Sequence, residues 1–260
     1  MITLGRITQH ADQDGVDADT VERDYVLTQV MASLSNHPDN DMFQFKGGTL
    51  LRLCYFSDYR YSADIDLNLE PGTDMQDAFR VLGDVLDATR ERVGLPHLVL
   101  VTEPKLRIEF IGPKRTARPR IIKLDISTEE LIIDRDTNRS LLHRYDDQPE
   151  TPPIRTYGLP EATAEKLRCV MQRLQCRDLY DIWYLLGEAR IDATAIRHDF
   201  ARKVQHRGLD PDMFSQRFYQ RVESYEQRWE DELVSYMTPV PDIDRVVREV
   251  RRNLRQANYL

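Results

Sequence analysis

The chain has 260 residues, 41% apolar and 31% charged, the balance of a globular protein with one large core or two modest ones. No run approaches the roughly 20 uncharged apolar residues of a membrane helix, and Met1 to Arg6 contains no apolar stretch of signal-peptide length. A cytoplasmic protein with no membrane partner is expected. The net charge of −8, from 36 Lys+Arg against 44 Asp+Glu, argues against a protein that coats nucleic acid through global positive charge. The charge is uneven, however: Lys105, Arg107, Lys114, Arg115, Arg118, Arg120 and Lys123 stand together with Glu109 as the one acid among them.

The first residues, to about position 18, carry no pattern and read as a loose polar arm. From Thr20, a plausible N-cap, Val21, Tyr25, Thr28 and Met31 recur at helical spacing, with Arg23 and Asp24 toward solvent. Met42 to Phe45 alternates as a short strand, broken by Gly47-Gly48 before an apolar helical turn from Leu50 to Tyr55. A polar loop, Ser57 to Ala63, leads into a strand from Asp64 to Leu69, and Pro71-Gly72 is a turn. Asp74 to Arg92 has the 3.6-residue period of a long amphipathic helix. Three strand-like runs follow, His97 to Thr102, Leu106 to Ile111 and Arg120 to Ile126, the last two forming a hairpin around Gly112-Pro113.

Pro149, Pro152 and Pro153 mark the expected boundary between an N-terminal domain, 1–153, and a C-terminal one, 154–260. Beyond it every pattern is helical: Glu161 to Gln175, Asp178 to Arg190, Ala193 to Gln205, Pro211 to Trp229 and Ile243 to Leu254. The expected class is therefore α+β, a mixed-sheet domain followed by an all-helical one. Cys169 and Cys176 lie seven apart on one helical stretch, about 10 Å, too far for a disulfide, so buried free thiols are expected. His37, His97, His143, His198 and His206 show no metal-ligand spacing with one another or with cysteine.

Chemistry concentrates in two segments, Phe45-Lys46-Gly47-Gly48-Thr49-Leu50 and Arg60-Tyr61-Ser62-Ala63-Asp64-Ile65-Asp66-Leu67. Two glycines between a strand and a helix let backbone N–H groups approach phosphate oxygens. Residues i and i+2 of a strand share a face, so Asp64 and Asp66 point one way and Ile65 and Leu67 the other. Two neighbouring carboxylates repel unless a cation lies between them, and magnesium takes one or two carboxylates together with substrate phosphates. Asp125, between Leu124 and Ile126, repeats the design on a later strand, as the third acid of a two-metal reaction would. A lone Gly-Gly is usually a turn and a lone D-x-D a solvated face; their joint order points to a site.

With these residues in place, the sequence resembles the nucleotidyltransferase superfamily related to DNA polymerase beta, and more closely its AbiEii/AbiGii-type toxin branch. The resemblance rests on F-K-G-G-T-L-L at 45–51, R-Y-S-A-D-I-D-L at 60–67 and K-L-D-I at 123–126. It continues in A-E-K-L at 164–167, R-D-L-Y-D-I at 177–182 and Glu22-Arg23-Asp24-Tyr25. The distance from Gly48 to Asp64 exceeds that of the wider superfamily and suits the toxin branch.

The resemblance implies a polymerase-beta-like N-terminal domain, with the helical domain contributing to the nucleotide site. It implies a toxin of a toxin–antitoxin pair that moves a nucleoside monophosphate from an NTP to an RNA acceptor, the 3′ end of tRNA, with a cognate antitoxin as partner. Asp64 and Asp66 would hold two Mg²⁺ (or Mn²⁺) with Asp125, which would also activate the acceptor hydroxyl. Gly47, Gly48 and Thr49 would cradle phosphate; Lys46, Arg60 and Lys166 would offset its charge, and Ser62 would bind phosphate or act as a control point. Asp181, or alternatively Asp178, would complete the site beside Lys166. A salt bridge from Lys166 and a helix cap at Asp178 would account for the same residues without a ligand. The rival functions are transfer to a protein or small molecule, and a catalytically inactive nucleotide-binding regulator. The basic segment 105–123 could grip RNA, and Arg248, Arg251, Arg252 and Arg255 form a second basic stretch.

Overall fold

Asp64 to Leu69, the run of alternating acids and aliphatics, is the second strand of a five-stranded sheet in the computed structural model, which describes residues 1–260. Its strands are β1 (Phe43–Lys46), β2 (Asp64–Leu69), β3 (His97–Val101), β4 (Arg107–Ile111) and β5 (Arg120–Ser127), ordered β1-β2-β5-β4-β3. The β2–β5 pair is parallel and the other three pairs are antiparallel, so the sheet is mixed. Parallel pairing requires a crossover; here it comprises α4 (Met75–Val93), which packs on β3, followed by β3 and β4.

Side-chain alternation divides the sheet cleanly. Phe43, Phe45, Ile65, Leu67, Leu98, Ile108, Phe110, Ile122 and Leu124 are buried on one face, each contributing roughly 1.5–3 kcal/mol on leaving water. The opposite face carries Lys46, Asp64, Asp66, Arg107, Lys123 and Asp125. A one-residue slip of β2 would exchange the two sets, so the core fixes the direction of the acids.

The sheet belongs to a unit made of Met1–Glu129, Arg135–Tyr157 and Tyr236–Thr238. Its opening segment is helical: α1 (Leu4–Asp14) starts on the Thr3 hydroxyl, which accepts from Arg6 N, and ends at left-handed Gly15. Ile7 and Ala11, one turn apart, are its buried side chains, too sparse a stripe for periodicity to register. The next helix, α2 (Ala18–Ser35), has Asp17 rather than Thr20 at its N-cap. It is buried on nearly every side, and Asp24 is 1% exposed rather than solvated. Buried polar groups need partners. Glu22 accepts from Lys114 N and Arg120, Asp24 from Arg52 and Tyr145, and Gln29 donates to Asp147. The glycine pair opens α3 (Gly47–Leu50), continued by a wider helical turn, Leu51–Tyr55. The short strands β6 (Asn138–Arg139) and β7 (Ile154–Arg155) pair with each other.

The second unit comprises Glu130–Asp134, Gly158–Ser235 and Pro239–Leu260. It holds α5 (Leu159–Gln172), α6 (Cys176–Gly187), α7 (Arg197–His206), α8 (Phe214–Leu233) and α9 (Ile243–Gln256). Pro160 lies in the first turn of α5, where its missing N–H costs nothing. A charged cluster is built into its core: Lys203, 2% exposed, pairs with Glu161 at 2.9 Å and donates to Leu131 O at 2.7 Å. Glu161 in turn accepts from the N–H groups of Ile133 and Asp134, fixing that segment to the helices. Cys54, Cys169 and Cys176 are free and buried.

Candidate active site

Register brings the three carboxylates together. Asp66 pairs with Asp125 across β2–β5, and Asp64 with Lys123. Paired positions on neighbouring strands are about 4.8 Å apart, and positions i and i+2 about 6.6 Å. Asp64, Asp66 and Asp125 therefore occupy adjacent points on one face, within reach of a pair of cations about 3.5–4 Å apart. Asp64 and Asp66 are half-buried, while Asp125 and Lys123 are exposed. On the other flank Lys46 of β1 is paired with Asp66, so Lys46, Asp66 and Asp125 form one row over three strands. The side chains do not themselves converge into a closed three-donor group; like charges stay apart until a cation offsets their repulsion.

The glycine turn is shaped to this face. Gly47 has φ +82°, and a Cβ there would lie 2.1 Å from Asp66 Oδ2. A Cβ on Gly48 would lie 2.6 Å from Arg60 Nη2. Each glycine thus makes room for one charged side chain, the Asp66 carboxylate at Gly47 and the Arg60 guanidinium at Gly48. Carboxylates on one sheet face are the donor chemistry that a divalent cation takes. Thr49 is 1% exposed, and its hydroxyl donates to Asp64 O, which ties the α3 turn to the start of β2. Ser62 and Arg60 are 6% and 3% exposed, in the loop that delivers Asp64.

That loop is held by Arg52 and Tyr145, which sequence reading did not single out, together with Asp24 of the 22–25 motif. Arg52, 4% exposed, places Nε 2.5 Å from Asp24 Oδ1, donates to Tyr59 O, and stacks 3.6 Å from the Tyr61 ring centroid. Burial alone would lower the Arg52 guanidinium pKa, but Asp24 outweighs it and raises it. Tyr145 donates to the second Asp24 oxygen at 2.7 Å, and its burial pushes its phenol pKa up. The one sequence signal was an arginine between apolar residues, Leu51-Arg52-Leu53, a position where charge implies a buried partner.

Lys166, Asp178 and Asp181 lie in the helical unit. Lys166 Nζ is 3.0 Å from Asp178 Oδ1 and 2.7 Å from Asp181 Oδ2. Both acids are buried, and Arg173 Nε holds Asp178 Oδ2 at 2.8 Å. Burial would raise the Asp178 pKa, yet Lys166 and Arg173 outweigh it and hold the carboxyl below the usual range. Asp178 is not the cap of α6; Gln175 occupies that position, and Asp178 lies inside the first turn with its carboxylate turned to the two cations. Of the basic segment 105–123, Arg107 pairs with Glu109, Lys114 with Asp19, and Arg120 with Glu22. Lys105, Arg115, Arg118 and Lys123 remain exposed.

The mixed five-stranded sheet with its surrounding helices is a fold shared with a solved nucleotidyltransferase toxin. MenT4, a nucleotidyltransferase toxin of Mycobacterium tuberculosis, is similar to this chain with a TM-score of 0.76 and 18% identity, over 100% of this chain and 89% of its own. The family of nucleotidyl transferase AbiEii toxins of type IV toxin–antitoxin systems matches residues 29–252, and the chain belongs to that family. None of the curated proteins compared with it matches.

Proposed function

We propose that this toxin moves a nucleoside monophosphate from an NTP to the 3′-hydroxyl of an RNA, with tRNA as acceptor, forming a phosphodiester as the α–β phosphoanhydride bond breaks and pyrophosphate leaves, and so blocks translation in the cytoplasm. The observation that carries the reading is the register of Asp64, Asp66 and Asp125 on one sheet face, beside a glycine turn opened toward Asp66. Asp64 and Asp66, with Asp125, would hold Mg²⁺ or Mn²⁺, which would supply the charge that polarises the attacking and leaving oxygens. Asp125, the exposed acid of the three, accepts the proton of the acceptor hydroxyl. Gly47 and Gly48 offer backbone N–H groups to phosphate, Thr49 fixes that turn to the strand, and Lys46 and Arg60 offset the phosphate charge. Ser62 lies beside the same phosphates.

Lys166 keeps the role that family resemblance implies, neutralising triphosphate charge, with Asp181 and Asp178 orienting its ammonium. A cognate antitoxin counters the activity. The test is incubation of purified chain with each labelled NTP, Mg²⁺ and total tRNA, resolved on a gel. Label in tRNA is the expected result. Label in protein or a metabolite, with none in RNA, would replace the acceptor; no label anywhere would leave a nucleotide-binding regulator.

A further inference from the structure

A cleft of about 510 Å³ lies between α8 and α9, within the helical unit. Arg248, Arg251, Arg252 and Arg255 line it, against two acids, Glu226 and Asp244. The arginines recur at i, i+3, i+4 and i+7, which places them on one stripe about 10 Å long. Val246, Val250 and Leu254 are buried on the opposite side of α9, so packing fixes the stripe outward.

Two of the guanidinium groups are organised by an aromatic ring. Arg251 lies 5.3 Å from the Tyr219 ring centroid, and Arg255 Nη2 donates to Tyr219 Oη at 3.0 Å. Tyr219 itself is 40% exposed. Arg251 Nε is buried without a hydrogen-bond partner, a donor that the chain leaves unsatisfied. Arg248 and Arg252 are exposed and make no hydrogen bond or ion pair within the chain. Four arginines against Glu226 and Asp244 leave a local excess of positive charge on a chain of net charge −8.

We propose that this cleft binds the sugar–phosphate backbone of RNA. Arginine forks match phosphate oxygens two at a time, and an exposed tyrosine among them offers a stacking face to a base. The stripe is long enough to meet more than one phosphate of a strand. An acidic peptide would offer separate carboxylates rather than a continuous row of phosphates for the arginine forks, and it is the alternative outcome of the test. The choice of RNA rests on the acceptor reading above.

The test is fluorescence anisotropy of a labelled single-stranded oligoribonucleotide with the full chain, comparing wild type with Arg248→Ala/Arg252→Ala and with the charge-preserving Arg248→Lys/Arg252→Lys. Removing two phosphate contacts should weaken binding about tenfold at 0.15 M salt and flatten the slope of log K against log salt by about 1.4. The lysine pair should restore the slope. An unchanged Kd and slope in the alanine pair, with an unchanged thermal melt, overturns the proposal. So does unchanged RNA binding combined with lost binding of a polyglutamate probe, which assigns the cleft to an acidic peptide. Transfer assays on the same proteins keep the two readings apart. Wild type that binds RNA through these arginines but labels none refutes the acceptor reading alone. An alanine pair that binds and labels RNA like wild type refutes the cleft alone.

Discussion

The backbone at Gly47 runs so close to Asp66 that a single added carbon would lie 2.1 Å from the carboxylate Oδ2. Two independent constraints meet there, since Gly47 also has φ +82°, a conformation that L side chains rarely adopt. The left-handed turn directs the chain from β1 into α3, and the missing Cβ lets the acid lie against that turn. Position 47 therefore links the backbone that would receive phosphate to the side chain that would hold a metal.

Gly47→Ala should reduce nucleotide transfer by at least about a hundredfold, since a misplacement of around 1 Å costs that much. It should also cost on the order of 1 kcal/mol of stability through its φ. Gly72 is the control: it has φ +86°, and a Cβ added there would meet nothing within 4 Å. Gly72→Ala should show the stability loss in a thermal melt and retain transfer. Equal loss of activity in both variants would mean that backbone strain, not the Asp66 contact, is responsible.

Asp64→Asn, Asp66→Asn and Asp125→Asn should each remove about a thousandfold or more of the transfer rate. Their thermal melts should stay close to wild type, so that the loss of transfer reads as lost chemistry and not as lost fold. Growth arrest on expression reads the same variants in cells. Arrest that survives all three changes would show a toxin that acts by binding.

Much of this site was legible in the sequence because strand alternation is rigid. Ile65 and Leu67 must face the core, so Asp64 and Asp66 must face away, and the acids of β2 needed no structure to be placed on one side. The pairing of Asp66 with Asp125 was not legible, since it depends on a parallel register set by a crossover of fifty residues, 70–119. The helix at Leu4–Asp14 escaped because it buries Ile7 and Ala11 and little else. Asp24 read as solvent-facing because its partners, Arg52 and Tyr145, lie far away in sequence.

Arg52 and Asp24 make a second, structural test. Replacing Arg52 with Met leaves Asp24 buried without its cation, which should cost about 3–5 kcal/mol. Asp24→Asn together with Arg52→Met should recover part of that, as urea denaturation of both variants and the double variant will read. Arg52 also donates to Tyr59 O in the loop before Asp64, so transfer should fall in the single variant beyond what its unfolded fraction explains. A double variant as unstable as the sum of the singles would mean the two side chains are not coupled.

Asp178 sets a pH dependence whose sign follows from its surroundings. Lys166 and Arg173 overcome the effect of burial and hold its pKa in the folded chain below the ordinary value of 3.8. A carboxyl depressed on folding contributes stability that is fully present above its unfolded pKa and is lost as pH falls through the folded one. Its contribution is therefore complete at pH 7, begins to decline near the unfolded value of about 3.9, and vanishes in stronger acid. Asp178→Asn keeps a hydrogen-bonding oxygen but removes the charge, and should cost about 1.5–3 kcal/mol at pH 7. The difference from wild type should shrink as pH drops below about 4. Urea denaturation of both proteins at pH 7 and at pH 3 checks this directly: a gap that stays constant, or widens in acid, would mean that Lys166 and Arg173 do not stabilise the Asp178 charge.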